Sequence, residues 1–492
     1  MVKNLLQNIK QFAAEKPDFP FLIYRDEQYS YARLLNEVRA FANNLEQMGV
    51  SSGQRVALLV SNQPEFVVSY YALLSIGAIA VLLPTEATTN QLVSYVRQTQ
   101  ADTIIYHQKF QTKVNEFEIQ EHKLSRKIVV GEKSEDAIAF SELLHAPEGQ
   151  DFQHDIALDH AAVICFATTA NGIHRGVVLS QENLLSNTEA CQRIYKEFRM
   201  RNILGQIPFY RSTAITAILN STLLAGNSII IPRPNDRNDL LRTIAKHKVD
   251  TIVGPPDLFA DLFSQPKQDT ESLDSLRLGV VIDGELDTRD LEQWEEESGC
   301  TLLESFSRTE VSPFIAMNRN RYDRKPGSLG KPIQNLEYRI VTESGAAVQT
   351  GEIGELELRG ASVMKGYLDE YSDSPNYKKN WFATGILVSI DRDGFLHYAG
   401  EKNSRIYRYG FPVYPHLLEA QIAKHPSVSK ATISSLPANN GHQSMKVAIL
   451  PAGGESLSEE TIREYFEKEL PRYMVPEKIE ILSDAPADHH KP

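Results

Sequence analysis

The chain has 492 residues, 42% of them hydrophobic, enough for one to three domains and a large buried core. Its net charge of −13 argues against nucleic acid or an anionic membrane as partner through bulk electrostatics, while leaving room for a local basic site for a small anion. Cys165, Cys191 and Cys300 have neither zinc-ligand spacing nor the density of a disulfide framework, which fits a reducing compartment and a cytoplasmic location.

The opening MVKNLLQNIKQFAAEKPD places Leu5, Ile9 and Phe12 at helical spacing, without the apolar centre of a signal peptide. An amphipathic surface helix is expected there. RVALLVSN and AIAVLLP read as buried strands, and QPEFVVSYYALLSIG between them as a helix ending near Gly77. The longest apolar run, YYALLSIGAIAVLLP, is too short to span a bilayer, so no transmembrane segment is expected. DTIIYH, AVICFAT, SIIIPR, DTIVGPP and LRLGVVIDG continue the alternation, which is the pattern of an α/β domain with mostly parallel sheets. Within it, CFATTANGIHRGVVLSQENLL reads as a strand, a small polar turn, a basic residue beside glycine and a helix start, a layout suited to phosphate. From about Gly327 the texture changes. LEYRIV, GELELRG and GFLHYAG alternate between Gly and Asp turns and predict a β-rich subdomain over 327–400. After Gly400 the polar EKNSRIYRYG leads into a compact α+β tail, so the spacing predicts a boundary near 400, with domains 1–400 and 401–492. No repeat or low-complexity segment is present.

The order of these stretches resembles the AMP-forming adenylating superfamily of acyl-CoA synthetases, peptide-synthetase adenylation domains and luciferases. The resemblance covers nearly the whole chain. YSYARLLNEVRAFANNLEQMGVSSGQRVALLVSNQPEF is similar to the family's opening helix and strand. RKPGSLGKPI, GEIGELELRG with MKGYL, and NWFATG followed by DRDGFL are similar to its later landmarks. GFPVYPHLLEAQIAKHPSV and LPRYMVP are similar to its C-terminal domain, and GFPVYP is closest to fatty-acyl-CoA ligase members. The resemblance implies a large α/β N-terminal domain of mostly parallel sheets flanked by helices, with a small mobile α+β lid domain. It also implies a two-step reaction. A carboxylate attacks the α-phosphate of Mg-ATP to give an acyl-adenylate and pyrophosphate. The small domain then rotates and a thiol displaces AMP. The implied cofactors are ATP, Mg²⁺ and CoA. The implied partners are a fatty or aryl carboxylic acid and CoA or an acyl-carrier thiol.

Carried over residue by residue, the family's phosphate loop falls on Ala167–Gly176. Thr168, Thr169, Asn171 and Gly172 take nucleotide-binding positions, and Arg175 replaces the family lysine. Thr169 stands where the family has glycine. SFSRTEVSP falls on the aromatic-Gly-x-Thr-Glu motif: Phe306 for adenine, Ser307 in place of glycine, Thr309 for the α-phosphate and Glu310 for Mg²⁺. The adenine-edge turn falls on Asp283 and Gly284, with Glu285 adding acid there. The acyl pocket falls on Phe209, Tyr210 and Pro255. Tyr210, where amino-acid-activating members carry aspartate, argues against amino-acid substrates, and Arg211 is either a carboxylate partner or a solvated cation. Ile386 stands in place of the aspartate that grips the ribose, and Glu401 in place of an arginine near the nucleotide. The hinge falls on Asn403 and Ser404 and the thiol side on Gly410. The catalytic-lysine position has only Lys491 as candidate, one residue short of the usual spacing and without its preceding glycine, where a polar tail is the competing reading.

Three functional readings stay open. The first is a divergent acyl-CoA ligase, resting on Thr309, Glu310, Arg175 and GFPVYP. The second is a pseudoenzyme of the same fold that binds an acyl ligand or a partner, resting on Ile386, Glu401, Thr169, Ser307 and the absent Gly-Lys turn. The third is a half-enzyme that makes thioesters from preformed acyl-adenylate.

Overall fold

A computed structural model describes residues 4–119, 124–145, 155–168, 174–233, 237–263, 273–284, 286–320, 322–368, 377–378, 380–404, 406–408, 411–439, 442–452, 457–470 and 474–482. The chain divides into two compact units, Met1–Glu337 with Leu358–Phe382, and Tyr338–Glu357 with Ala383–Pro492. The division therefore does not follow a single cut at residue 400: much of the β-rich stretch groups with the C-terminal residues.

The first unit is built on two large sheets. In the eight-stranded sheet, Ile79–Leu82, Arg55–Leu59, Thr103–His107 and Arg126–Val130 run parallel, as their unbroken apolar runs require when helices cover both faces. The helix Pro64–Ser75 that links two of these strands is buried at every position but Glu65, so it is a core helix rather than an amphipathic one. The nine-stranded sheet has a parallel centre formed by Ser228–Ile231, Asn202–Leu204, Thr251–Gly254, Leu278–Val281 and Thr301–Ser307. Its antiparallel edge is Phe314–Met317 followed by Lys331–Pro332. The helix Leu5–Glu15 is amphipathic as expected, with Leu5, Leu6 and Ile9 buried. No helix among the described residues is long and apolar enough to cross a membrane.

One expectation is corrected. CFATTANGIHRGVVLSQENLL is not strand, turn and helix start. A second strand, His174–Ser180, intervenes and pairs antiparallel with Ala161–Thr168, with Thr168 opposite His174 and Ile164 opposite Val178. The helix Gln181–Glu197 begins only after it, closed by a capping box in which Ser180 and Asn183 each accept the other's backbone N–H. Seven strand residues at about 3.3 Å each put that helix end roughly 20 Å from the turn.

The landmark RKPGSLGKPI has a steric reason for its second glycine. Gly330 sits at φ +83, and a Cβ there would lie 2.2 Å from the Met317 carbonyl carbon and 2.3 Å from the Asn318 nitrogen. Backbone cannot move aside cheaply. Gly330→Ala is expected to destabilise the protein by more than about 2 kcal/mol, seen as a lower urea midpoint at unchanged slope.

In the second unit, strands Val428–Asn439 and His442–Pro451 pair antiparallel and Lys478–Ile481 joins in parallel. Helices Pro415–Ile422 and Glu459–Glu469 belong to the same small domain. Leu418, Ile422, Val447, Ile449, Ile462 and Phe466 form one core, giving the compact α+β tail expected.

Candidate active site

In the first unit the short strand Gly366–Tyr367 lies on the outer side of His174–Ser180, pairing Tyr367 with Val177. The turn Thr309–Val311 follows the strand Thr301–Ser307 and packs on the same hairpin. This packing brings three side chains into one chain of contacts. The Tyr367 hydroxyl donates to Glu310 Oε1 at 2.9 Å, and the Arg175 guanidinium stacks over the Tyr367 ring at 3.7 Å. Burial, and then the Glu310 charge, push the Tyr367 phenol well above its ordinary value, so it stays an O–H donor at neutral pH. Glu310 is only 8% exposed. Among the described residues its Oε2 carries no hydrogen bond. Thr309 Oγ1 accepts from Ser212 Oγ at 3.4 Å.

The segment carrying these groups is held by side chains that sequence reasoning did not single out. Asn187, wholly buried on the helix Gln181–Glu197, donates to the Val311 and Phe314 carbonyls at 2.8 and 2.9 Å and accepts the Phe314 N–H at 3.2 Å. Thr216 donates to the Ser312 carbonyl at 2.7 Å. One turn earlier on the same helix, Asn183 donates to the Ala361 and Val363 carbonyls at 2.7 and 2.9 Å. The signal was in the sequence: Asn183 and Asn187 are four apart, on a helix face that is otherwise core. Asn187→Ala leaves a buried N–H and two carbonyls without their partner. It is expected to destabilise the protein by about 1–3 kcal/mol, as read from urea unfolding.

The remaining nucleotide positions fall as follows. Phe306 is half-buried at the end of its strand, opposite Ala316. Ser307 follows a bulge without entering the left-handed region, so serine replaces the family glycine there without backbone strain. Asp283 does adopt φ +59 and pairs with Arg211 at 2.6 Å. Arg211 is thus engaged by Asp283 rather than free to await a carboxylate, and the pairing offsets the acidity expected at that turn. Gly284 is exposed and its Cβ position lies 2.8 Å from the Pro256 ring.

A cleft of about 740 Å³ is lined by Ile207, Pro208, Arg211, Pro255, Leu258 and Asp261 among others. Pro255, which the resemblance assigns to the acyl pocket, lines this cleft. Phe209 does not: it is 1% exposed and packs on Phe66, with ring centroids 5.6 Å apart. Tyr210 is half-buried, and its phenol is pushed up by burial and by hydrogen bonding to Glu86. Its carbonyl faces the Cys165 thiol, which burial pushes up to about 12, so Cys165 is no nucleophile.

In the second unit Ile386 is wholly buried in the strand Trp381–Ile390 and stands directly opposite Glu401 on the antiparallel partner Leu396–Glu401. The two departures from the family pattern are therefore one cross-strand pair. Asn403 and Ser404 lie in the turn Lys402–Ser404, where the Ser404 hydroxyl donates to the Glu401 carbonyl at 2.7 Å and Lys402 pairs with Glu355 at 2.6 Å. Thr168 closes its strand opposite His174. Thr169, Asn171, Gly172, Glu285, Gly410 and Lys491 lie outside the described residues.

A buried carboxylate, a guanidinium and hydroxyls thus meet where the turn Thr309–Val311 packs on the hairpin of the first unit. The chain belongs to the AMP-binding enzyme family, which matches residues 9–368, and residues 417–490 match the AMP-binding enzyme C-terminal domain. It is 26% identical to a long-chain-fatty-acid–CoA ligase of Escherichia coli O157:H7 over 526 aligned positions, covering 98% of this chain and 92% of that protein. Its fold is similar to that of ATP-bound MatB from Rhodopseudomonas palustris, with a TM-score of 0.87 at 21% identity, over 99% of this chain and 96% of that one. It is also similar to the anthranilate CoA ligase AuaEII in complex with anthranoyl-AMP, with a TM-score of 0.83 at 22% identity, over 99% and 94%.

Proposed function

We propose that the protein is an AMP-forming acid–thiol ligase. It joins a fatty or aryl carboxylate to ATP, releasing pyrophosphate, and passes the acyl group of the adenylate to CoA or a carrier thiol, releasing AMP. The observation that carries this reading is the buried Glu310 carboxylate, with one oxygen fixed by Tyr367 and the other without a partner among the described residues. A hard carboxylate oxygen of this kind fits Mg²⁺, which usually takes one or two protein carboxylates and completes its shell with water and phosphate oxygens. No group of three or more His, Cys, Asp or Glu among the described residues forms an all-protein cage, which agrees with that mode. When bound, Mg²⁺ would offset phosphate charge. Arg175 would hold the β- and γ-phosphates, Thr309 the α-phosphate and Phe306 the adenine. The rotation between half-reactions would pivot at Asn403 and Ser404. Three free, buried cysteines support a reducing location such as the cytoplasm.

The test is incubation with Mg-ATP, CoA and a panel of fatty and aryl acids, with AMP and thioester measured by mass spectrometry. Acid-dependent formation of both is expected; neither product from any acid contradicts the proposal. Tyr367→Phe, which frees Glu310 Oε1, is expected to raise the Mg²⁺ concentration for half-maximal rate about tenfold to a hundredfold.

A second reading, a pseudoenzyme that binds an acyl ligand, is favoured by the wholly buried Ile386 opposite Glu401. The half-enzyme reading predicts thioester from synthetic acyl-adenylate in the same assay, with none from ATP.

A further inference from the structure

A separate cavity of about 400 Å³ in the first unit lies between the end of the helix Gln181–Glu197, the turn after it and the end of the helix Ser221–Ala225. Its charged lining has one sign: Lys196, Arg199 and Arg201, with no carboxylate among the lining residues. Lys16 donates to the Gly226 carbonyl beside it, adding a further cation nearby. The neighbouring acids are engaged elsewhere. Asp250 accepts the backbone N–H groups of Arg201 and Asn202 at 2.9 and 3.0 Å, and Glu197 accepts from Asn320 at 2.9 Å.

Tyr195 also lines the cavity, while its hydroxyl is buried away from the accessible space. The neighbouring Gln192 amide is engaged, donating to the Ser221 carbonyl at 2.5 Å. None of these residues belongs to the catalytic set proposed above.

We propose that this cavity binds a small phosphate-bearing anion, gripped by Arg199, Arg201 and Lys196. Guanidinium groups suit phosphate because their planar fork donates two parallel hydrogen bonds. The volume lies within the range of small-ligand sites. The phosphate is either free or monoesterified in solution, or carried on a phospholipid headgroup.

The full-length protein is titrated calorimetrically with inorganic phosphate and with glycerol 3-phosphate, and is co-sedimented with phosphatidylglycerol vesicles. Saturable binding in at least one arm is expected. R199Q/R201Q should weaken it by about tenfold or more, while R175Q leaves it unchanged. Both arginines are exposed, so the double variant should keep the fold. Vesicle binding that the double variant loses assigns a headgroup; soluble binding without vesicle binding assigns a free anion. No binding in any arm overturns the proposal. So does binding that survives R199Q/R201Q, and if R175Q then abolishes it, the anion belongs to the hairpin beside Glu310.

Discussion

Glu310→Gln is expected to lower acid-dependent AMP formation by about a hundredfold or more while moving the unfolding midpoint little. The amide keeps the size of the side chain and an oxygen to accept the Tyr367 hydroxyl, now at 2.9 Å. The backbone carbonyl still takes the Met364 N–H at 2.8 Å. Only the charge is lost, and charge is what a phosphate-bound Mg²⁺ would require of this position under the proposed function. Initial rates and urea unfolding on the same preparation separate the outcomes. Full activity would remove Glu310 from the chemistry. Loss of both activity and stability would make it a structural anchor for the 309–311 turn.

The second large effect concerns the cross-strand pair Ile386 and Glu401. Ile386→Asp, which restores the family residue, is expected to destabilise the protein by about 3 kcal/mol or more. The side chain is wholly buried, its neighbours Leu387 and Val388 are buried too, and Glu401 directly opposite carries the same charge. Changing Glu401 to arginine at the same time turns a like-charge pair into an opposite one. The double variant Ile386→Asp with Glu401→Arg should therefore recover at least about 1 kcal/mol relative to the sum of the single changes, as a double-mutant cycle in urea reads it. A coupling near zero would mean that the two departures arose independently and that the register has no bearing on them.

Much of the fold was legible because its strands are unbroken apolar runs between glycine and proline stops. RVALLVSN, DTIIYH and SIIIPR all became strands near their expected places. His174–Ser180 was missed for a physical reason. Its apolar run VVL abuts a capping box, so strand and helix merge in a linear reading, and only the pairing with Ala161–Thr168 separates them. A motif singled out Thr309 and Glu310, and the fold puts Glu310 in contact with Tyr367. The site was illegible where tertiary contact creates the role. Tyr367 lay within the landmark MKGYL but acquires meaning only from its hydroxyl reaching Glu310. Asn187 acts through carbonyls more than a hundred residues away. Arg211, read as either a substrate partner or a solvated cation, pairs with Asp283. The opposition of Ile386 and Glu401 depends on a register shift between Leu387 and Val388, which alternation of side chains along one strand does not reveal.

The most direct test of the account is calorimetric titration of the full-length protein with Mg-ATP, repeated with Glu310→Gln and without Mg²⁺. Saturable, Mg²⁺-dependent binding in the micromolar to sub-millimolar range, roughly 4–8 kcal/mol, is expected, weakened at least about tenfold by the substitution. No saturable binding at several millimolar Mg-ATP would contradict it, and would move the protein to the reading in which the buried Ile386 marks a fold retained without adenylation.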